Sequence, residues 1–210
     1  PVIAQKPQKL YPLNAYVYGL LLDANVELGT YEAALEAAEK MVAIRPDIRS
    51  YSRISYLREI HGDYAGAIEA MNLAVDAGLP GDEATEWSRV QLAQLYEASG
   101  EMKAAAMHYH LALQKRPSYA FALAGQAHMA LIAKEYDKAI QLYQQAISQV
   151  NDPFLQQGLA DVYYQLGQTN KSDSLLRAIV VHMKYGDHDQ HPAYHFHYNN
   201  DRELAHLYLK

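Results

Sequence analysis

The residues best suited to chemistry crowd into one short stretch near the C-terminal end. Asp187, His188, Asp189 and His191 are followed by His195 and His197, with His182 just upstream. Zinc and nickel accept imidazole nitrogen and carboxylate oxygen, so His188, His191, His195 and His197 are the candidate metal set. Their spacing fits no compact metal signature. A polar loop rich in His is more often a solvated connection or a supply of helix-end hydrogen bonds. The expectation here is a connecting loop with no metal or other cofactor assigned, and metal binding is the alternative to be tested. His108 and His110 lie two residues apart, on different faces of a helix, and read as structural.

Other chemistries lack their parts. The chain contains no Gly-rich phosphate loop, no His-Glu-x-x-His zinc motif and no Gly-x-Ser-x-Gly elbow. It has no cysteine, which removes disulfides and thiolate chemistry together. His61 and Asp63 stand at a turn, where helix capping accounts for them. A net charge of −6 without any basic block argues against a nucleic-acid partner. No apolar run approaches the roughly 20 residues of a membrane-spanning helix, so membrane insertion is not expected. Half of the 210 residues are hydrophobic, and Gly and Pro are sparse beside Leu and Ala, which favours a folded, helical chain. An enzyme is not the expectation.

The elements that would position any site repeat along the chain. Gly29-Thr30-Tyr31 is followed by Ala34, Gly62-Asp63-Tyr64 by Ala67, and Gly100-Glu101-Met102 by Ala105. Lys134-Glu135-Tyr136 precedes Ala139, and Gly167-Gln168-Thr169 precedes Ser172. Apolar residues recur at helical spacing around each of these turns. Glycine reaches positive φ without steric cost, and small residues let two helices approach closely. Asp47, Asp82, Ser118 and Asp152 stand where first helices should begin, as capping side chains do, and Pro153 suits a first helical position. The step from Gly62 to Gly100 is long, at 38 residues, and Gly78-Leu79-Pro80-Gly81 reads as an enlarged loop that absorbs it.

With Tyr18, Leu21, Leu22, Gly29, Tyr31, Ala34, Met41 and Pro46 in one unit, the chain resembles the tetratricopeptide family, whose repeat is a 34-residue helix–turn–helix. Leu92, Ala93, Tyr96, Gly100, Ala105, Tyr109, Ala112 and Pro117 repeat that pattern. Asn25 and Arg58 depart from it where Tyr is usual, Gln126 replaces Leu, and Arg89 and Gln156 replace bulky apolar groups. The resemblance implies an all-α, right-handed superhelix, an α-solenoid of about five repeats plus a C-terminal helix. The organisation expected is a lead-in over residues 1–12, then repeats within 13–186, at about 15–47, 48–81, 86–119, 120–152 and 153–186. A His-rich loop would fill 187–198. Residues 199–210, with Leu204, Ala205 and Tyr208 at first-helix spacing, would form an extra helix, and the array is expected to continue beyond it.

The resemblance also implies a concave groove lined by the first helices. Its second positions are Tyr16, Arg49, Trp87, Phe121 and Phe154, and its ninth positions are Asp23, Tyr56, Gln94, His128 and Asp161. Glu27, Glu59, Glu97 and Tyr164 join the same surface. Aromatic anchors with carboxylates between them suit a protein or peptide carrying apolar and basic groups. The same aromatics could instead pack on the preceding repeat, and the two roles are compatible. The two-carboxylate clamp of Lys and Asn used by chaperone-tail receptors of this family is missing, because Gly19, Asp23, Ser52 and Tyr56 fill its places. The function expected is a non-catalytic scaffold or adaptor. The alternatives are a structural spacer of a larger protein and a metal-responsive module using the His-rich loop.

Overall fold

The computed structural model describes residues 14–185. The expected lead-in segment, His-rich loop and extra C-terminal helix fall outside the described residues. Among these residues there are ten helices and no strand. They follow one another in pairs: α1 (Ala15–Glu27) and α2 (Tyr31–Ile44), α3 (Ile48–Ile60) and α4 (Tyr64–Asp76), α5 (Glu83–Ala98) and α6 (Met102–Lys115). The remaining pairs are α7 (Ala120–Ile132) and α8 (Tyr136–Gln149), then α9 (Pro153–Gln165) and α10 (Thr169–Tyr185). The chain divides into two compact units between Gly125 and Gln126, inside α7. In the first unit each helix packs on the next from α1 through α6, and the first helices also touch, α1 with α3 and α3 with α5. In the second, α8 packs on α9 and α9 on α10.

One turn recurs within every pair. Gly29, Gly62, Gly100 and Gly167 have φ between 70° and 82°, and Lys134 takes the same place at φ 60°. In each case the amide of the following residue reaches a carbonyl five residues back: Thr30 to Asn25, Asp63 to Arg58, Glu101 to Tyr96, Glu135 to Ala130 and Gln168 to Tyr163. This is the Schellman arrangement, which satisfies carbonyls that the helix end would leave unpaired. Five residues after the positive-φ residue come Ala34, Ala67, Ala105 and Ala139, each with no exposed surface, and Ser172 at 2%. The first helices answer with Leu22, Ser55, Ala93, Ala127 and Ala160, all buried. The Ser55 hydroxyl donates to the Ala67 carbonyl at 2.8 Å, so a small polar residue fits without an orphaned group.

Starts are capped individually. Asp47 accepts from the amides of Arg49 and Ser50, and the Ser50 hydroxyl accepts from the Asp47 amide, closing a capping box. Asp152 caps α9, with Pro153 behind it, and Asn14 and Asp63 cap α1 and α4. Asp82 makes no side-chain cap bond. There the carboxylate that turns back is that of Glu86, which accepts from the Gly81 amide at 2.8 Å. The expected loop Gly78-Leu79-Pro80-Gly81 is non-helical, and α5 begins directly after Asp82, at Glu83, and runs for 16 residues.

Three of the departures from the repeat pattern, Arg58, Asn25 and Arg89, form bonds of their own. Arg58 donates to the Gly66 carbonyl at 2.8 Å, tying α3 to α4 where a tyrosine was expected. Asn25 donates to the Leu21 carbonyl and accepts from the Thr30 hydroxyl, bracing its turn. Arg89 donates to Glu86 at 2.9 Å, which neutralises a carboxylate with no exposed surface.

Candidate functional site

The second positions lie in the first two turns of the first helices. Tyr16 on α1 is 62% exposed, and Arg49 on α3 is exposed. Trp87 on α5 and Phe121 on α7 are half-buried, their rings 5.1 Å apart and nearly perpendicular at 81°. Phe121 also stands edge-on to Tyr119 at 5.8 Å. Edge-to-face pairs of this kind contribute about 0.5–1.5 kcal/mol beyond their buried area. Both residues keep some exposure while packing on each other.

The ninth positions hold mixed roles. Asp23 receives a two-pronged bond from Arg53, 2.9 Å from Nε and 2.8 Å from Nη2, which joins α1 to α3. The fork geometry matches guanidinium to carboxylate. Tyr56 is half-buried, and its phenol is raised above the ordinary tyrosine value, first by burial and then by Glu27, Glu59, Tyr31 and Asp23. Carboxylates of α1 and α3 thus lie near enough to this hydroxyl to disfavour its ionisation. On α5, Gln94 is half-buried with its carbonyl oxygen enclosed and without a hydrogen-bond partner. Glu97 accepts from the Tyr109 hydroxyl at 2.6 Å.

In the second unit, His128 on α7 and Asp161 on α9 are exposed. Phe154 is 36% exposed, and its amide donates to Asp152 at 2.8 Å. Tyr164, near the end of α9, is 57% exposed.

Sequence reasoning missed three kinds of participant. Arg53 on α3 reaches back to Asp23, and nothing in a single repeat reveals a bond across two. Glu86 is a buried carboxylate whose partners come from a turn and a neighbouring residue. Gly125 and Gly158 are needed because a Cβ at either would fall within the ring of Tyr109 or Tyr143 respectively. The pairing of a second-helix Tyr with a Gly on the next first helix is the pattern that could have shown it.

His108 is buried, as its structural reading requires, and stacks on Tyr96 at 5.3 Å. The candidate metal residues His188, His191, His195 and His197 lie outside the described residues. Among the described residues no group of three or more His, Asp or Glu side chains could hold a metal ion, and no helix is long and apolar enough to cross a membrane.

Comparison with known proteins agrees with this architecture. Residues 15–48 match the family model described as tetratricopeptide repeat. No curated protein matches the sequence. Among solved structures, the Cut9–Hcn1 hetero-tetramer of the APC/C superposes with a TM-score of 0.73 at 14% identity, over 86% of this chain. This chain spans only 35% of that one. BtubC (BKLC) from P. vanneervenii gives a TM-score of 0.68 at 16% identity, covering 94% of each chain. A tetratricopeptide repeat protein from Parabacteroides merdae ATCC 43184 gives 0.67 at 16% identity, over 85% of this chain and 70% of its own. The chain therefore contains a tetratricopeptide repeat and has the all-helical repeat fold of the proteins built from it.

Proposed function

We propose that the chain is a non-catalytic scaffold or adaptor that holds a protein or peptide against the face built by its first helices. Tetratricopeptide-repeat proteins generally mediate protein–protein interaction and are generally non-catalytic. The observation that carries the reading here is the Trp87–Phe121 pair, two large rings at equivalent places on successive first helices, each kept partly open. Aromatic side chains in such positions dominate binding energy because they bury much area and lose little rotamer freedom. The carboxylates around Tyr56 favour basic groups on the occupant. The candidate groove residues of the first unit are then Tyr16, Asp23, Arg49, Tyr56, Trp87, Gln94 and Phe121, and the second unit carries candidates of its own, His128, Phe154 and Asp161.

The experiment is a capture comparison between wild-type protein and the double variant Trp87→Ala/Phe121→Ala, both checked for intact helicity by circular dichroism. The reading expects partners retained by wild type and lost from the variant. The same partners retained equally by both would remove the site from the first helices.

A further inference from the structure

The segment leading into α5 is tied down by charge. Gly81 is held through both of its backbone groups: its amide donates to Glu86 Oε1 at 2.8 Å, and its carbonyl accepts from Arg116 Nη1 at 3.3 Å. The second oxygen of Glu86 accepts from Arg89 Nε at 2.9 Å. Arg116 also pairs through Nη2 with Glu83 at 2.7 Å. From the connection between α6 and α7, this one guanidinium thus grips the turn before α5 and the first turn of α5 itself.

The same guanidinium begins a line of ring contacts. It lies over Tyr119, 5.3 Å from the ring centroid. Tyr119 is 5% exposed and stands edge-on to Phe121, which stands edge-on to Trp87. Trp87 sits in the first turns of α5, and Phe121 is the second residue of α7. Both attachments of Arg116, polar and aromatic, therefore converge on the two elements that carry the pair.

We propose that Arg116 is a positioning residue for the Trp87–Phe121 pair, fixing the start of α5 against the start of α7 and so setting how the two rings are presented. Its consequence for binding rests on the functional reading above; its effect on Trp87 does not. Arginine is suited to the task because a planar fork can bond two oxygens while its face stacks on an aromatic ring. Lysine offers one compact charge and can reproduce only part of this.

Trp87 is the sole tryptophan, so its fluorescence reports the pair directly and no partner is needed. The test compares wild type with Arg116→Met, Arg116→Lys and Tyr119→Leu. Arg45→Met serves as control, since Arg45 pairs with Asp47 at the turn before α3. Far-UV circular dichroism checks helicity, and the emission maximum and acrylamide quenching constant read the indole. Arg116→Met is expected to shift emission to the red and raise quenching about twofold, as for a side chain released from a single rotamer. Tyr119→Leu should behave alike, Arg116→Lys should fall between, and Arg45→Met should match wild type. If Arg116→Met loses helicity, Arg116→Lys and Tyr119→Leu carry the comparison. Unchanged emission and quenching in the folded variants would overturn the proposal. A loosened Trp87 with unaltered partner binding would uphold the positioning role and overturn the functional reading instead.

Discussion

His108 sits at 8% exposure with its ring stacked on Tyr96 and its Nδ1 without a hydrogen-bond partner. Burial, and then the Arg89 guanidinium, lower its pKa below the ordinary value of 6.5. The unfolded chain therefore binds the proton more readily than the fold does, and stability must fall as pH falls. The contribution is complete above pH 6.5 and is lost as pH drops through the folded-state value. His108→Phe keeps a ring against Tyr96 and cannot titrate. Thermal melts at about pH 7.5 and pH 5.5, on either side of the imidazole range, should show a smaller acid loss in this variant than in wild type. Equal losses would mean that His108 is not the group responsible. Gly125 offers a second residue-level test, because the Tyr109 ring occupies the place of its missing Cβ. Gly125→Ala should cost about 1–3 kcal/mol through overpacking. Much of that cost should disappear in a Tyr109→Leu background, a coupling that urea denaturation of the double-mutant cycle can measure. The small residues at 34, 67, 105 and 139 were legible in the sequence because each follows its turn at one fixed interval. Gly125 was not, since the ring that demands it belongs to a different repeat.

Among the elements, the turns were the most legible feature. Gly29, Gly62, Gly100 and Gly167 adopt the positive φ that their spacing implied, and all four close the same hydrogen-bonded turn. The fourth turn in the chain shows how strongly that geometry is imposed, for Lys134 is drawn to φ 60° without being glycine. A left-handed L-residue costs about 1–2 kcal/mol, while glycine surrenders roughly 0.5–1 kcal/mol of extra freedom on folding. Lys134→Gly should therefore raise stability by up to about 1 kcal/mol. Chemical denaturation would show this as a higher midpoint with an unchanged slope, and a lower midpoint would contradict it. Less legible was how the start of α5 is held. Gly78-Leu79-Pro80-Gly81 pointed to a loop and Asp82 to a helix start, as found, but the repeat itself was expected only from about residue 86. The structure adds a turn of helix there and buries Glu86 by pairing it with Gly81 and Arg89. Hydrophobic periodicity cannot report such a turn, because what fixes it is polar.

For the molecule as a whole, the repeated pattern carried the fold, and the partner lay beyond it. Every pair solves the same packing problem with a buried Ala or Ser after its turn, so the architecture is written several times over. The face proposed for a partner obeys no such rule: Tyr16, Arg49, Trp87 and Phe121 fill one repeat position with different chemistry while the helices beneath them stay alike. Even the candidate set mixes roles, since Asp23 is engaged by Arg53 and Gln94 is partly enclosed. The most direct test of the central claim is the affinity of a purified, captured partner for wild type, Trp87→Ala and the surface control Lys103→Ala, measured by calorimetric titration. The account predicts that Trp87→Ala weakens binding by about 1–2 kcal/mol or more, as for a hot-spot aromatic, with helicity intact and Lys103→Ala near wild type. Equal affinity for wild type and Trp87→Ala, or equal losses in both variants, would contradict it.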